Sequence, residues 1–316
     1  MSFDHSISRR NVFKGAGGLA VASALGAGAA LGATTPAHAA GLDVVEHQTY
    51  GRMEYYKVST PSIAWKPRVN VLLPDGYDSG RRYPVLYLLH GGAQNFMKFD
   101  KEDDIRGLTA GRDLIVVMPD GGIAGWYCNP VTANLGPRNW ETFHIEELIP
   151  WVDATFRTFP EQAGRAVSGF SMGGFGALKY TAKYYGHFAS VSSHSGPASL
   201  RSINGAVAHW ANASSTIDLG GGTVYGTPWD EARVSADNPV ERIESYRGKR
   251  IFLVSGTEAF DVNEGFVLPT QREFAAALDR AGIHYERHEE PGGHFVRRER
   301  LQQDIDGVIA HLRKAG

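Results

Sequence analysis

Gly169-Phe170-Ser171-Met172-Gly173 is the stretch of this chain whose residue types could do nucleophilic chemistry. It lies between a short apolar run ending at Phe170 and a segment, Ala177 to Tyr185, that reads as a helix. A G-x-S-x-G turn between strand and helix is what a nucleophile elbow requires. The turn lifts the hydroxyl clear of the sheet, and glycines two residues to either side let strand and helix approach each other. Serine is a weak nucleophile at neutral pH, so a base must take its proton and an acid must orient that base. Without such partners the pentapeptide is an ordinary Gly/Ser turn.

On this kind of elbow the order along the chain is serine, acid, histidine. Among the histidines that follow Ser171, His294 sits in Pro291-Gly292-Gly293-His294-Phe295, a Gly-rich loop after the last expected strand, and it is the expected base. The acid should follow the strand Ile251–Ser255, where Glu258, Asp261 and Glu264 all qualify by position. Composition does not choose among the three. The developing oxyanion needs two backbone N–H donors. One is expected from Met172, directly after the nucleophile, and the other from Gly92 in His90-Gly91-Gly92-Ala93. His90 itself reads as structural or pocket-lining.

Other reactive side chains fit less well. Cys128 is the only cysteine, so no internal disulfide exists, and nothing near it in sequence would lower its pKa. His284 and His288 share one face of an expected strand, but no closing ligand or H-E-x-x-H helix accompanies them. No metal site is expected. No nucleotide or flavin motif is present, so no cofactor is expected either.

The elements that must position these groups follow from hydrophobic patterning. Met53–Ser59 and Arg68–Leu73 read as strands of a first hairpin. Pro84–Leu89, Leu114–Pro119, Gly164–Phe170, Phe188–Ser193 and Arg250–Ser255 read as strands, and His284–Glu289 as the last one. A helix is expected with Ile145, Leu148, Ile149, Val152 and Phe156 on one face, another over Glu264–Ala281, and a C-terminal one to about Lys314. The stretch from Leu200 to Val240 reads as irregular and Gly-rich, a wall or cap over the site. Strands alternating with helices imply an α/β fold, a mostly parallel central sheet with helices on both faces. Ligands then gather at the carboxyl ends of the strands. Those ends carry His90-Gly91-Gly92, Asp120-Gly121-Gly122, Ser171, Ser195-Gly196, Ser255-Gly256-Thr257 and Gly293-His294.

The bulk numbers narrow the possibilities. The chain has 316 residues, 42% hydrophobic and 21% charged, with a formal net charge of −2, which gives no electrostatic case for a nucleic-acid partner. Ser8-Arg9-Arg10-Asn11-Val12-Phe13-Lys14 precedes a weakly apolar Ala/Gly stretch and an A-x-A site at Ala37-His38-Ala39. This reads as a twin-arginine export signal over residues 1–40, cleaved near Ala39 or Ala40, with a catalytic domain over 41–316 and no membrane anchor after cleavage. An extracellular or cell-wall location follows. Oligomeric state leaves no trace in the sequence.

Several stretches together carry a family resemblance. They are Tyr87-Leu88-Leu89-His90-Gly91-Gly92, Ile115–Gly122, Trp140-Glu141-Thr142-Phe143, Gly169–Gly174 and Gly293-His294. From about Tyr55 to Leu312 the chain resembles the putative-esterase branch of the α/β-hydrolases, which includes esterase D, feruloyl esterases and the mycobacterial mycolyltransferases. The resemblance implies the α/β-hydrolase fold, acyl-ester chemistry and a Ser-His-acid triad. Glu264-Gly265-Phe266-Val267, with Phe274 further along, is similar to the helix that carries the mycolyltransferases' acid, which favours Glu264 over Asp261 and Glu258. The esterase D branch places an aspartate at the position of Ala259 here. This chain has His90 and Ala93 where the mycolyltransferases have an aspartate and an arginine for trehalose, and it lacks their tryptophan around Phe295.

The expected function is a secreted serine carboxylic-ester hydrolase acting through an acyl-enzyme on a small-molecule or glycan ester. Two alternatives carry weight: an acyltransferase moving the acyl group to a sugar or glycerol, and a non-catalytic secreted binding protein on the same fold. Trp126, Tyr127, Trp210, Tyr225 and Trp229 could line a sugar or aryl pocket.

Overall fold

Continuous apolar runs become strands covered on both faces, because only a fully buried strand has no need of polar alternation. In the computed structural model, which describes residues 41–258 and 260–316, such runs form β4 (Val85–Leu89) and β5 (Ile115–Pro119), and the equally buried neighbours of mixed composition are β6 (Arg165–Phe170), β7 (Ser190–His194) and β8 (Arg250–Gly256). They follow β1 (Asp43–Tyr50), β2 (Met53–Ser59) and β3 (Arg68–Leu72), and β9 (Glu286–Glu290) completes one nine-stranded sheet. The strand order is β1-β2-β3-β5-β4-β6-β7-β8-β9. The pairings from β1 through β2 and β3 to β5 are antiparallel, and all the others are parallel. The expected export signal over residues 1–40, the cleavage expected near Ala39 or Ala40, and Ala259 lie outside the described residues.

Period-2 alternation sorts the strand side chains into two cores. Val85, Tyr87, Leu89 and Val167 pack with Trp151 and Val152 of α4 (Ile149–Thr155), Phe175 and Leu178 of α5 (Met172–Lys183) and Phe274 and Leu278 of α8 (Val262–Arg280). Leu86, Leu88, Val116 and Ala166 pack on the opposite face with α1 (Lys98–Lys101), α2 (Ile105–Leu108) and α9 (Arg298–His311). Helices therefore cover both faces, as the α/β reading requires. The expected helix through Ile145 is α3 (Trp140–Thr142), a π-helical segment over Phe143–Leu148, and α4 in succession.

Three expectations need correction. Asp43–Tyr50, not read as a strand, pairs with β2 as an edge. Seven of its eight residues are exposed, so it carries no alternation to betray it. Residues 200–240 are irregular chiefly over 216–230. They contain α6 (Ser202–Ser215) and α7 (Glu231–Asp237), with Val207, Ala208 and Ala211 buried. The glycines that masked α6 lie at its start, where Ile203, Asn204 and Gly205 hold positive φ, and beyond its end. Finally, His284 precedes β9 rather than sharing its face with His288, and His288 packs against Phe252 at 5.3 Å between ring centroids.

Candidate active site

Ser171 joins β6 to α5 with φ 54° and ψ −119°, a conformation L-residues reach only when the surroundings impose it. Its N–H donates to the carbonyl of His194 on β7 at 2.8 Å, and its carbonyl accepts from Phe175 N–H at 3.1 Å. The flanking glycines are required by space. A methyl on Gly169 would overlap the Gly173 carbonyl, and one on Gly173 would overlap the carbonyls of Leu89 and His90.

The tertiary fold brings His294 to this serine. Ser171 Oγ lies 2.7 Å from His294 Nε2, and His294 Nδ1 lies 3.1 Å from Glu264 Oε1. A carboxylate only accepts, so Nδ1 carries the ring proton and Nε2 is left to accept from the serine hydroxyl. Glu264 is 1% exposed, in the first turn of α8. Asp261, one of the other two candidate acids, is the N-cap of that helix. Its Oδ1 accepts the N–H groups of Asn263 and Glu264, and its Oδ2 accepts the backbone N–H of His294 at 3.0 Å. Burial raises its pKa, but the three N–H donors from Glu264, His294 and Asn263 prevail and hold the carboxyl below its ordinary value. Glu258 is exposed, with its backbone N–H bonded to Gly292 O at 3.3 Å.

The loops expected to supply oxyanion donors border the same cleft, which has a volume of about 370 Å³ and is lined by Gly92, Met172, Ser171 and His294 among others. Met172 is the first residue of α5, where helix N–H groups have no partner one turn back. On either side of Gly92, the N–H of Gly91 is taken by Gln94 Oε1 at 2.9 Å and that of Ala93 by Ile123 O at 2.7 Å. His90 lies beneath this turn, 1% exposed, and does not line the cleft. Its Nδ1–H donates to Gly91 O at 2.7 Å, and Nε2 accepts from Gly121 N–H at 2.8 Å. Burial lowers its pKa, so it is held neutral, in the only tautomer that serves both bonds.

Of the five aromatic residues singled out from sequence, Trp126 and Trp210 line the cleft and meet edge to face at 5.1 Å. Tyr127 and Tyr225 are fully buried, and Trp229 stacks on His209 at 4.7 Å away from the cleft lining. Cys128 is buried beside Lys179 Nζ at 3.2 Å, and burial pushes its thiol up to about 12.

Sequence reasoning passed over the supports. Asp304 of α9 is fully buried beneath the elbow strand, where it accepts from Ser168 Oγ at 2.9 Å and lies 3.0 Å from His194 Nε2 and 2.8 Å from Arg250 Nη1. Arg297, 6% exposed, donates to the carbonyls of Pro291, Gly293 and Phe295 and so holds the loop that presents His294. Asp218 accepts Ile123 N–H at 3.0 Å and pairs with buried Arg138 at 3.0 Å, tying the end of α6 to the loop that receives Ala93 N–H. A serine in a strand or an acid in a helix carries no local mark of such a role.

Comparison with known proteins places this arrangement. The family profile described as "Putative esterase" matches residues 60–306. The chain belongs to that family. In this esterase-family chain, 287 residues align at 63% identity with Esterase Rv1288 of Mycobacterium tuberculosis (strain H37Rv), covering 87% of the chain and 63% of that relative's length. The chain thus spans less than two thirds of the relative it matches. Among solved structures, an S-formylglutathione hydrolase from Agrobacterium tumefaciens superposes with TM-score 0.69 at 17% identity, over 86% of this chain and all of that one. Mycobacterium tuberculosis MPT51 superposes with TM-score 0.68 at 20% identity, over 85% of this chain and 99% of that one. At such identities the likeness is one of fold, and that fold is the α/β-hydrolase fold.

Proposed function

We propose that this chain is an exported serine carboxylic-ester hydrolase that works through an acyl-enzyme. The observation that carries the reading is the unbroken relay from Ser171 Oγ through the His294 ring to Glu264, with contacts of 2.7 Å and 3.1 Å. Membership of an esterase family supports the ester as the bond attacked. As Ser171 attacks the carbonyl carbon, its proton passes to His294 Nε2, and Glu264 holds the imidazole in the productive tautomer and offsets its positive charge. The N–H groups of Gly92 and Met172 take the tetrahedral oxyanion. His294 then returns the proton to the departing alcohol. Water, activated by the same imidazole, opens the acyl-enzyme and regenerates the serine. The paired arginines Arg9 and Arg10 and the A-x-A site support export by the twin-arginine route.

The Ser171→Ala variant tests the reading. It should fold as the wild type, lose turnover of p-nitrophenyl esters by about 10⁴-fold or more, and fail to react with a fluorophosphonate probe. Wild-type turnover in that variant sinks the assignment. A wild-type chain inert to both ester and probe would instead be a binding protein on this fold. Product analysis with glycerol or a sugar present separates hydrolysis from acyl transfer.

A further inference from the structure

We propose that the mouth of the cleft is a docking surface for an uncharged lipid phase, so that the ester reaching Ser171 is delivered from a film, droplet or membrane surface rather than from solution. This rests on the ester-hydrolase reading above. Six large apolar side chains lie on the segments that border the cleft, Ile123, Ile217, Leu219, Phe260, Val262 and Phe295, each between 47% and 99% exposed. Ile123 and Ile217 also line the cleft, Leu219 lies two residues past Ile217, and Val262 and Phe295 adjoin the lining residues Asn263 and His294. Phe260 precedes Asp261, whose carboxylate holds the His294 backbone.

Four separate chain segments supply these side chains, three loops and the β8–α8 connection with the first residue of α8, so no single amphipathic helix carries them. Isolated exposed apolar residues need no explanation, but a contiguous set around a site marks a contact with another phase or molecule. The patch is continuous with the cleft interior, where Phe170, Met172, Trp126 and Trp210 carry the apolar lining down to the serine. An acyl chain can therefore pass from a lipid phase to Ser171 along a cleft whose lining is mainly apolar.

Charge selects the kind of phase. The exposed or half-exposed ionic groups of these loops besides His294 are Asp120, Asp230, Glu258 and Asp261, all acidic, while Arg297 is buried among loop carbonyls, Asp218 is buried too, and the exposed Arg298 that opens α9 is paired with Asp104 at 2.7 Å. Anionic headgroups call for exposed, unpaired Lys or Arg, which these loops do not offer. The matching chemistry is a neutral or zwitterionic amphiphile, held by apolar insertion. No helix among the described residues is long and apolar enough to cross a membrane.

The test compares the mature wild type with a Leu219→Ser, Phe260→Ser, Val262→Ser triple variant, none of these residues lining the cleft. Tributyrin is titrated through its solubility limit, p-nitrophenyl acetate is assayed in solution, and both proteins are floated with phosphatidylcholine vesicles, with and without phosphatidylglycerol. The wild-type rate should climb steeply beyond the solubility limit, and the protein should float with phosphatidylcholine, with no gain from phosphatidylglycerol. The triple variant should lose about tenfold or more of both the emulsion rate and vesicle retention, with p-nitrophenyl acetate turnover within about twofold of wild type. The proposal is overturned by a rate that saturates smoothly through the limit, by unchanged flotation of the triple variant, by binding that depends on phosphatidylglycerol, or by a wild-type dimer that the triple variant dissociates. Absence of p-nitrophenyl acetate turnover in the wild type would sink the hydrolase reading instead, and flotation would still decide this one.

Discussion

A single carboxylate, that of Asp261, receives the backbone N–H of His294 on one oxygen and caps the helix that carries Glu264 with the other. The base and the acid of the candidate triad are thus registered to each other through a residue that touches neither His294's ring nor the serine. Geometry gives the two acids different roles. Glu264 Oε1 meets the ring, and Asp261 meets the backbone behind it.

That separation predicts different kinetics for the two variants. Glu264→Gln should lose about 10³-fold or more in kcat with little change in KM, because it disturbs the ring tautomer and the charge that stabilises the imidazolium. Asp261→Asn keeps a helix cap but weakens the acceptor for His294 N–H, and should cost about tenfold. Asp261→Ala should in addition lose about 1 kcal/mol of stability in urea unfolding. A larger kcat loss in Asp261→Asn than in Glu264→Gln would move the acid.

Neutral His90 is predicted to act on the oxyanion loop from below. His90→Ala removes the two bonds that fix the Gly91 carbonyl and the Gly121 N–H. The turn offering Gly92 should then wander, lowering kcat by about 10- to 100-fold, less than the outright loss of a donor. Stopped-flow acylation with a p-nitrophenyl ester reads this step. Unchanged acylation with intact folding would show that the turn holds without His90.

Gly173→Ala is expected to fail structurally before it fails chemically. The added methyl meets the carbonyls of Leu89 and His90, backbone that cannot turn away. A loss of about 1–3 kcal/mol or more is expected from overpacking, with loss of fluorophosphonate labelling at Ser171. Wild-type stability and labelling would show that the elbow has slack.

Acid should unfold the protein partly through Glu141. Its carboxyl is pushed up by burial but pulled further down by Lys179 and Lys183, and is held at about 2 against an ordinary 4.5. A depressed carboxyl contributes its full stability above the unfolded value, and that contribution drains away as pH falls from 4.5 toward 2. The urea midpoint of the wild type should therefore drop across that window. Glu141→Gln leaves the fully buried Lys179 and its neighbour Lys183 to share Asp237 as their one remaining counter-charge. It should be less stable by about 3–5 kcal/mol at neutral pH and show a flatter acid profile.

Much of this was legible in the chain itself. Residue type and local spacing determined the elbow around Ser171, because strand, tight turn and helix are all written within one short stretch. The same holds for β4 and β5, whose apolar runs admit little else, and for His294, the one histidine on a glycine loop after the last strand. Resemblance to a family singled out Glu264, whereas position alone left Glu258, Asp261 and Glu264 level. What only the tertiary structure decided is which groups meet. Ser171 ends β6, Glu264 opens α8 and His294 follows β9, and their contact depends on the strand order that sets β7 and β8 between the first and the last. Asp304, Arg297 and Asp218 stayed invisible for the same reason: a buried polar side chain is defined by partners far along the chain, and local pattern carries no record of them.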